Sequence, residues 1–399
     1  MTERRSHSRL IAWMCAAHVA SMSAFATFAT LLPRLQDEWG ISNTAAGFVS
    51  GALLAGYMFA VPLLTTLTDR IDARRVYFVA CLLTAAGALG FAAFARGTLT
   101  AAACQMLGGM GVAGTYMPGL KALTDNVEGA NQSRAVSFYT ACFGFGLSLS
   151  ALLAGYTADA LGWRGAFAVA AIGPMIAAVM VLGGLRAQAA SVAAVVPLVS
   201  GLAEVARDPH PRGFMLGYAV HCWELFGSRS WMVAFLTFAQ GAAAWTLGPV
   251  AIVALANAAS PFASVAGNEA ALRAGRARVI RAALLVSGAF SCVFGFLYGL
   301  PGWALAILAV LHLVLVNADS AALTAGLLGA APPGRRGAAL ALHSTLGFGA
   351  GFAAPLVFGA ALDLAGGNER PLAWAIAFVT LGIGGVVASF ALRLRSAAA

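Results

Sequence analysis

The sequence predicts an all-α membrane protein whose twelve transmembrane helices fall into two similar six-helix halves. Three observations carry this. The 399 residues are 60% hydrophobic and only 10% charged, with a mean hydropathy of +0.84, whereas a soluble domain carries roughly 25% charge. Apolar runs long enough to cross a bilayer core about 30 Å thick recur along the whole chain. The second half repeats features of the first at a constant distance.

The composition excludes a disordered chain, a collagen and a small disulfide scaffold, and leaves no room for a soluble catalytic domain. A formal charge of +9 would suggest nucleic acid in a soluble protein. Here the basic residues sit in short clusters between apolar runs, so they read as topology signals and no nucleic-acid partner is expected.

Taken in order, the apolar runs lie at about 10–32, 44–66, 76–95, 99–122, 135–158 and 164–185, then at about 213–238, 245–266, 279–299, 303–327, 338–361 and 372–392. Each has the length of a crossing helix, and no alternating strand pattern points to a barrel. Residues 1–185 are expected to form the first bundle and 213–399 the second. Residues 186–212, with Pro197, Pro209 and Pro211, read as a cytoplasmic linker. Within it Val192, Val195, Val196, Val199, Leu202 and Val205 recur at helical spacing, which predicts a short helix on the membrane surface.

Orientation follows from Lys and Arg. The even-numbered connections and both termini carry 19 of them and the odd-numbered connections four, Arg34, Arg96, Arg164 and Arg370; Arg229 alone lies inside a span. The positive-inside rule then places both termini in the cytoplasm of a bacterial-type inner membrane. The first apolar run is too long for a signal-peptide core, so an uncleaved first helix is expected. All six cysteines fall inside spans without a Cys-x-x-Cys pair and read as buried small hydrophobes.

At an offset of 203, Asp69-Arg70-Ile71-Asp72-Ala73-Arg74-Arg75-Val76 falls on Leu272-Arg273-Ala274-Gly275-Arg276-Ala277-Arg278-Val279, His18 on His221, and Gly144-Phe145-Gly146 on Gly347-Phe348-Gly349. At 204, Gly155, Asp159 and Gly162 fall on Gly359, Asp363 and Gly366. An offset of six whole spans relates halves of the same membrane orientation, the parallel repeat of a two-bundle transporter.

With these features the chain resembles the major facilitator superfamily over nearly its whole length. The signature after span two appears as Leu67-Thr68-Asp69-Arg70-Ile71-Asp72-Ala73-Arg74-Arg75, with Thr65 in place of the leading Gly and Asp72 in place of the inner one. The Arg of the family's span-four pattern is Gln105 here, ahead of Gly109 and Gly111. The resemblance implies two six-helix bundles around a cavity lined mainly by spans one, four, seven and ten. It also implies that Asp69 and Arg70 make charge contacts that hold one conformation, with Arg134, Glu269 and Arg273 as candidates for the equivalent contacts at other span ends.

Ionisable groups inside a bilayer cost several kcal/mol and persist where they face a cavity or a partner. Span seven carries His221, Trp223, Glu224 and Arg229; span ten carries Asn317 and Asp319; span one carries His18; span four carries Tyr116. His221 and Glu224, three apart, share a helix face. Glu224, helped by His221, is the expected proton-coupling acid, with Arg229 either binding an anionic substrate group or pairing with that acid. Trp223, Trp231 and Tyr116 are candidates to wall an organic substrate, and Trp231 equally an interfacial anchor. His312 and His343 read as structural. No spacing demands a metal, and no Walker pattern supports ATP drive, so neither metal nor cofactor is expected.

These residues predict a secondary transporter, not an enzyme, that moves a small organic or anionic solute by alternating access, with proton-coupled uptake favoured. Span five lacks the Gly-Pro of the family's drug antiporters, and spans two and eight lack the Arg of its nitrate porters. Similarity extends to the broad group that includes cyanate-type permeases. Proton-driven efflux of drugs or metabolites is the alternative, and a membrane sensor or assembly protein the alternative of another class. Partners are a small-molecule substrate, protons and lipid, and the chain is expected to act as a monomer.

Overall fold

The computed structural model describes residues 2–68, 70–124, 126–127, 130–185, 198–241, 245–332 and 335–394, and the regular elements among them are all helical. Eight helical stretches are long and apolar enough to cross a membrane by length and composition, and one of them, 135–184, holds two passages separated at Gly162. Spans one, four and seven are not among the eight. Span one is divided into two helices, and spans four and seven carry the Gln, Lys, His, Glu and Arg side chains that lower their apolar character. Twelve passages result.

Several spans differ from unbroken rods. Span one is two helices, Thr2–Ser21 and Thr27–Trp39. Breaking a helix in a bilayer frees backbone groups that need partners, and these come from side chains. Ser150 Oγ accepts from the Ala26 N–H at 2.9 Å, while the Ser23 hydroxyl at the break ties it to another helix by donating to the Ala170 carbonyl at 2.7 Å. Span ten is likewise two helices, Gly302–Asn317 and Ser320–Ala330, with Ala318 and Asp319 between them. There Ser264 Oγ of span eight (Pro249–Ala274) accepts from the freed Ala321 N–H at 3.2 Å. Spans five and six are separated at Gly162, whose φ of 69° is left-handed, and span eleven (Arg336–Leu364) is followed by Gly366 at φ 104°. A side chain strains this backbone region, so Gly at both matched positions gives the internal repeat a conformational basis.

The described chain sorts into two units, residues 1–31 with 55–195, and residues 32–54 with 196–399. In the first, Met14, Tyr77, Cys81, Tyr139 and Val181 form a buried core among spans one, three, five and six. The second has two layers. Phe214, Ile280, Leu284, Leu323 and Leu392 pack toward one end, while Trp231, Phe235, Phe294, Phe358, Trp374 and Phe378 interlock with ring centroids 5.0–6.2 Å apart toward the other. Trp231 is fully buried and donates its indole N–H to the Pro355 carbonyl at 3.0 Å, so it is a core residue and not an interfacial anchor.

In the linker region, residues 186–197, which include Val192, Val195 and Val196, lie outside the described residues. A helix covers Leu198–Arg207, with Val205 buried in the second unit's core and Glu204 paired to Arg335 at 2.6 Å. Span seven (Pro209–Gln240) begins four residues ahead of the apolar run, because Asp208 caps it and Pro209 suits a first helical turn. The Asp208 carboxylate accepts the His210 N–H at 2.9 Å. That bond, with the imidazole 3.0 Å away, holds its carboxyl below the usual carboxylate range. A depressed folded-state value means that the cap stabilises above the ordinary Asp range and is lost as pH falls through the depressed value. Asp208→Ala is expected to lower stability by about 1 kcal/mol at neutral pH, read as a drop in melting temperature that shrinks in acid.

Candidate functional site

The polar groups of the second unit meet where span ten is broken. His221 on span seven places Nδ1 2.7 Å from Asp319 Oδ1, with both side chains almost fully buried. The approach lies off the N–H direction, so the contact is a close juxtaposition of imidazole and carboxyl more than an aligned hydrogen bond. Tyr218, one turn earlier on span seven, stacks on the His343 ring at 3.8 Å and lies 5.6 Å from the His221 ring. His343 Nε2 reaches Thr324 Oγ1 at 3.5 Å, returning to the second half of span ten. Asp319, His221, Tyr218, His343 and Thr324 thus form one buried polar and aromatic cluster from spans seven, ten and eleven.

A single close approach fixes the break. Gly267 of span eight faces the Ala318 carbonyl so tightly that a Cβ there would lie 1.7 Å from its oxygen. Only glycine lets span eight pass this carbonyl. Asn317 ends the first half-helix by donating Nδ2 to the Leu313 carbonyl at 2.7 Å, which makes it a backbone partner at the break.

Comparison with known proteins identifies the family and the fold. The model of the Major Facilitator Superfamily matches residues 14–267, more than half of the chain. The chain belongs to that superfamily. Its structural relatives share the fold over nearly the whole length: a bacterial homologue of the human lysosomal transporter Spinster in an inward-facing, unoccupied conformation (TM-score 0.75, 13% identity, covering 97% of this chain and 98% of that one), the nucleoside transporter NupG (0.76, 15%, 96% and 98%) and the human organic anion transporter MFSD10 (0.70, 18%, 97% and 99%). Among curated relatives, a benzoate transport protein of Acinetobacter baylyi is 24% identical over 36% of this chain and 32% of its own length. A probable sphingolipid transporter, spinster homolog 1 of Arabidopsis thaliana, is 25% identical over 35% and 28%. The matched region thus spans about a third of each curated relative. Superfamily membership agrees with the expectation of a membrane transporter.

Within the superfamily fold the expected site residues separate into distinct surroundings. Glu224 does not meet His221's partner. Its two oxygens accept from Ser287 Oγ at 2.9 Å and Ser291 Oγ at 2.6 Å, hydroxyls four apart on span nine (Arg276–Phe294), and Gly385 of span twelve lies against it. No ion pair joins Glu224 to Arg229 among the described residues; Arg229 is half-buried, 6.0 Å from the Phe226 ring, with Nε unpaired. Trp223 is half-buried and donates to the Thr380 carbonyl at 2.9 Å, turned toward span twelve (Pro371–Ala391). In the first unit His18 is fully buried, stacked on Tyr139 at 4.4 Å with Tyr116 at 5.6 Å, and neither ring nitrogen has a hydrogen-bond partner.

The expected gating residues are described only in part. Asp69 and the Arg134 side chain lie outside the described residues. Arg70 is exposed, and Glu269 and Arg273 form an exposed 4.0 Å pair within one helix, which cannot hold two span ends together. The residues that sequence reasoning passed over are Tyr218, Ser287 and Ser291, while His343, read as structural, joins the cluster around His221. The helical spacing of Tyr218 to His221 and of Ser287 to Ser291 was the available signal.

Proposed function

We propose that the protein is a proton-coupled importer of small organic anions, set in a bacterial-type inner membrane with both termini in the cytoplasm and acting as a monomer. The observation that carries this is the buried His221–Asp319 pair at the break in span ten. An acid stands against an imidazole where the helix is already interrupted, and ionisable groups inside a membrane mark proton relays and ion paths. Broken spans are where transporters of this kind place ligand-responsive backbone. Arg229, with Nε unpaired, is the cation assigned to the substrate's carboxylate. Glu224, held by two serines, is a second acid near the site. Trp223 is proposed as a support for span seven. The names of two relatives, a benzoate transport protein and an organic anion transporter, favour an anionic solute.

The test is initial-rate uptake of labelled benzoate into proteoliposomes, measured above protein-free liposomes because benzoic acid itself crosses lipid. An inward proton gradient is expected to raise the protein-dependent rate. Protein-dependent loss of benzoate driven by the same gradient would favour efflux, and no protein-dependent flux of benzoate or other small aromatic anions would sink the anion reading.

A further inference from the structure

Residues 32–54 belong by sequence to the first six spans yet cluster with the second unit, and one side chain accounts for the firmest part of that attachment. Span two (Asn43–Leu67) begins with backbone N–H groups that have no partner within the helix. Asp363, near the end of span eleven, takes them. Its Oδ1 accepts from the Asn43 N–H at 3.1 Å and Asn43 Nδ2 at 2.8 Å; its Oδ2 accepts from the Thr44 N–H at 2.8 Å and Thr44 Oγ1 at 2.6 Å. Gln36 Nε2 donates to Asn43 Oδ1 at 2.9 Å and fixes the orientation of that amide. Below the carboxylate the two helices run in close contact. Gly47 and Gly51 lie against the carbonyls of Pro355 and Phe352, and Phe48 meets Phe352 edge-on at 6.2 Å.

We infer that Asp363 is a gating latch: its carboxylate clasps the start of span two to the end of span eleven at the membrane face opposite the N-terminus, and releasing it opens that face during the transport cycle. Four donors converge on one carboxylate, so attachment is made or lost as a unit. The contact beneath it rests on glycines and apolar surface, which separate without leaving buried charge. The repeat does not duplicate the device. At the offset that matches Asp363 to Asp159, Asn43-Thr44 falls on Leu247-Gly248, which lacks both side-chain donors. The latch is therefore specific to the span-two and span-eleven pair.

Hydrogen–deuterium exchange of the full chain in lipid nanodiscs tests this. Asp363→Asn keeps the size but turns an amide N–H toward the Thr44 donors, and Thr44→Val removes one donor while leaving the carboxylate. Both variants are first checked for unchanged elution and melting. In Asp363→Asn, exchange is expected to quicken by about tenfold along residues 43–54 and 347–363, with a smaller increase in Thr44→Val and none in Asp159→Asn. Quickening confined to residues 43–46 would show a helix cap without a gate and overturn the inference, as would unchanged exchange in both variants. If Asp363→Asn fails to fold, Thr44→Val decides by the same criterion.

Discussion

Asp319→Asn is expected to abolish the stimulation of benzoate uptake by an inward proton gradient, while exchange of labelled for unlabelled benzoate at equal pH stays within about twofold of the parent. The reasoning is thermodynamic. Each proton moved down one pH unit supplies about 1.4 kcal/mol, but only through a group that binds it in one state and releases it in the other. Asp319 is almost fully buried and faces His221 at 2.7 Å, so the amide removes the acid and keeps the shape. Exchange needs binding and movement without net proton transfer, and it survives. Glu224→Gln serves as the comparison, because its oxygens are already taken by Ser287 and Ser291. If the Glu224 variant loses gradient stimulation and the Asp319 variant keeps it, the coupling assignment moves to Glu224.

Gly267→Ala is expected to cost stability at the upper end of the roughly 1–3 kcal/mol of overpacked cores, whereas Gly329→Ala should be neutral or slightly stabilising. The first Cβ would lie 1.7 Å from the Ala318 oxygen and 2.7 Å from its carbonyl carbon, while the second meets nothing within 4 Å. Backbone opposes backbone at Gly267, so no side-chain rotamer relieves the clash. Span eight must move away from the break, or the break must move. Thermal unfolding monitored by intrinsic fluorescence distinguishes the two glycines directly. Equal melting temperatures would mean that the approach of span eight to Ala318 is looser than described.

The span count and the repeat were legible because they rest on properties local to the chain. Hydropathy of about twenty residues and the side of each basic cluster depend on no distant partner. Matched glycines at 162 and 366 both adopt left-handed backbone, as their shared spacing in the repeat foreshadowed. The breaks in spans one and ten were not legible. Met22–Ala26 and Ala318 are small or apolar and continue a helical pattern, and the interruptions are supported by Ser150 and Ser264 from other helices.

Pairing was hidden for the same reason. On one helix Glu224 had only His221 and Arg229 as charged neighbours, so the reading joined them. The fold instead gave Glu224 two hydroxyls from span nine and gave His221 an acid from span ten. Asp363 was visible as a member of the repeat, but its partners at the start of span two lie some 320 residues away in sequence.

The broken tenth span has an electrostatic consequence. A helix end carries about half a unit charge, positive at its start, and Asp319 stands directly ahead of the half-helix Ser320–Ala330 without capping it through its side chain. The end of Gly302–Asn317, negative by the same rule, meets that start across Ala318, so the two half-helix ends largely cancel where the acid stands. The break itself therefore lends the carboxylate little, and its nearest polar neighbour is an embedded imidazole supplied by another helix, His221 at 2.7 Å.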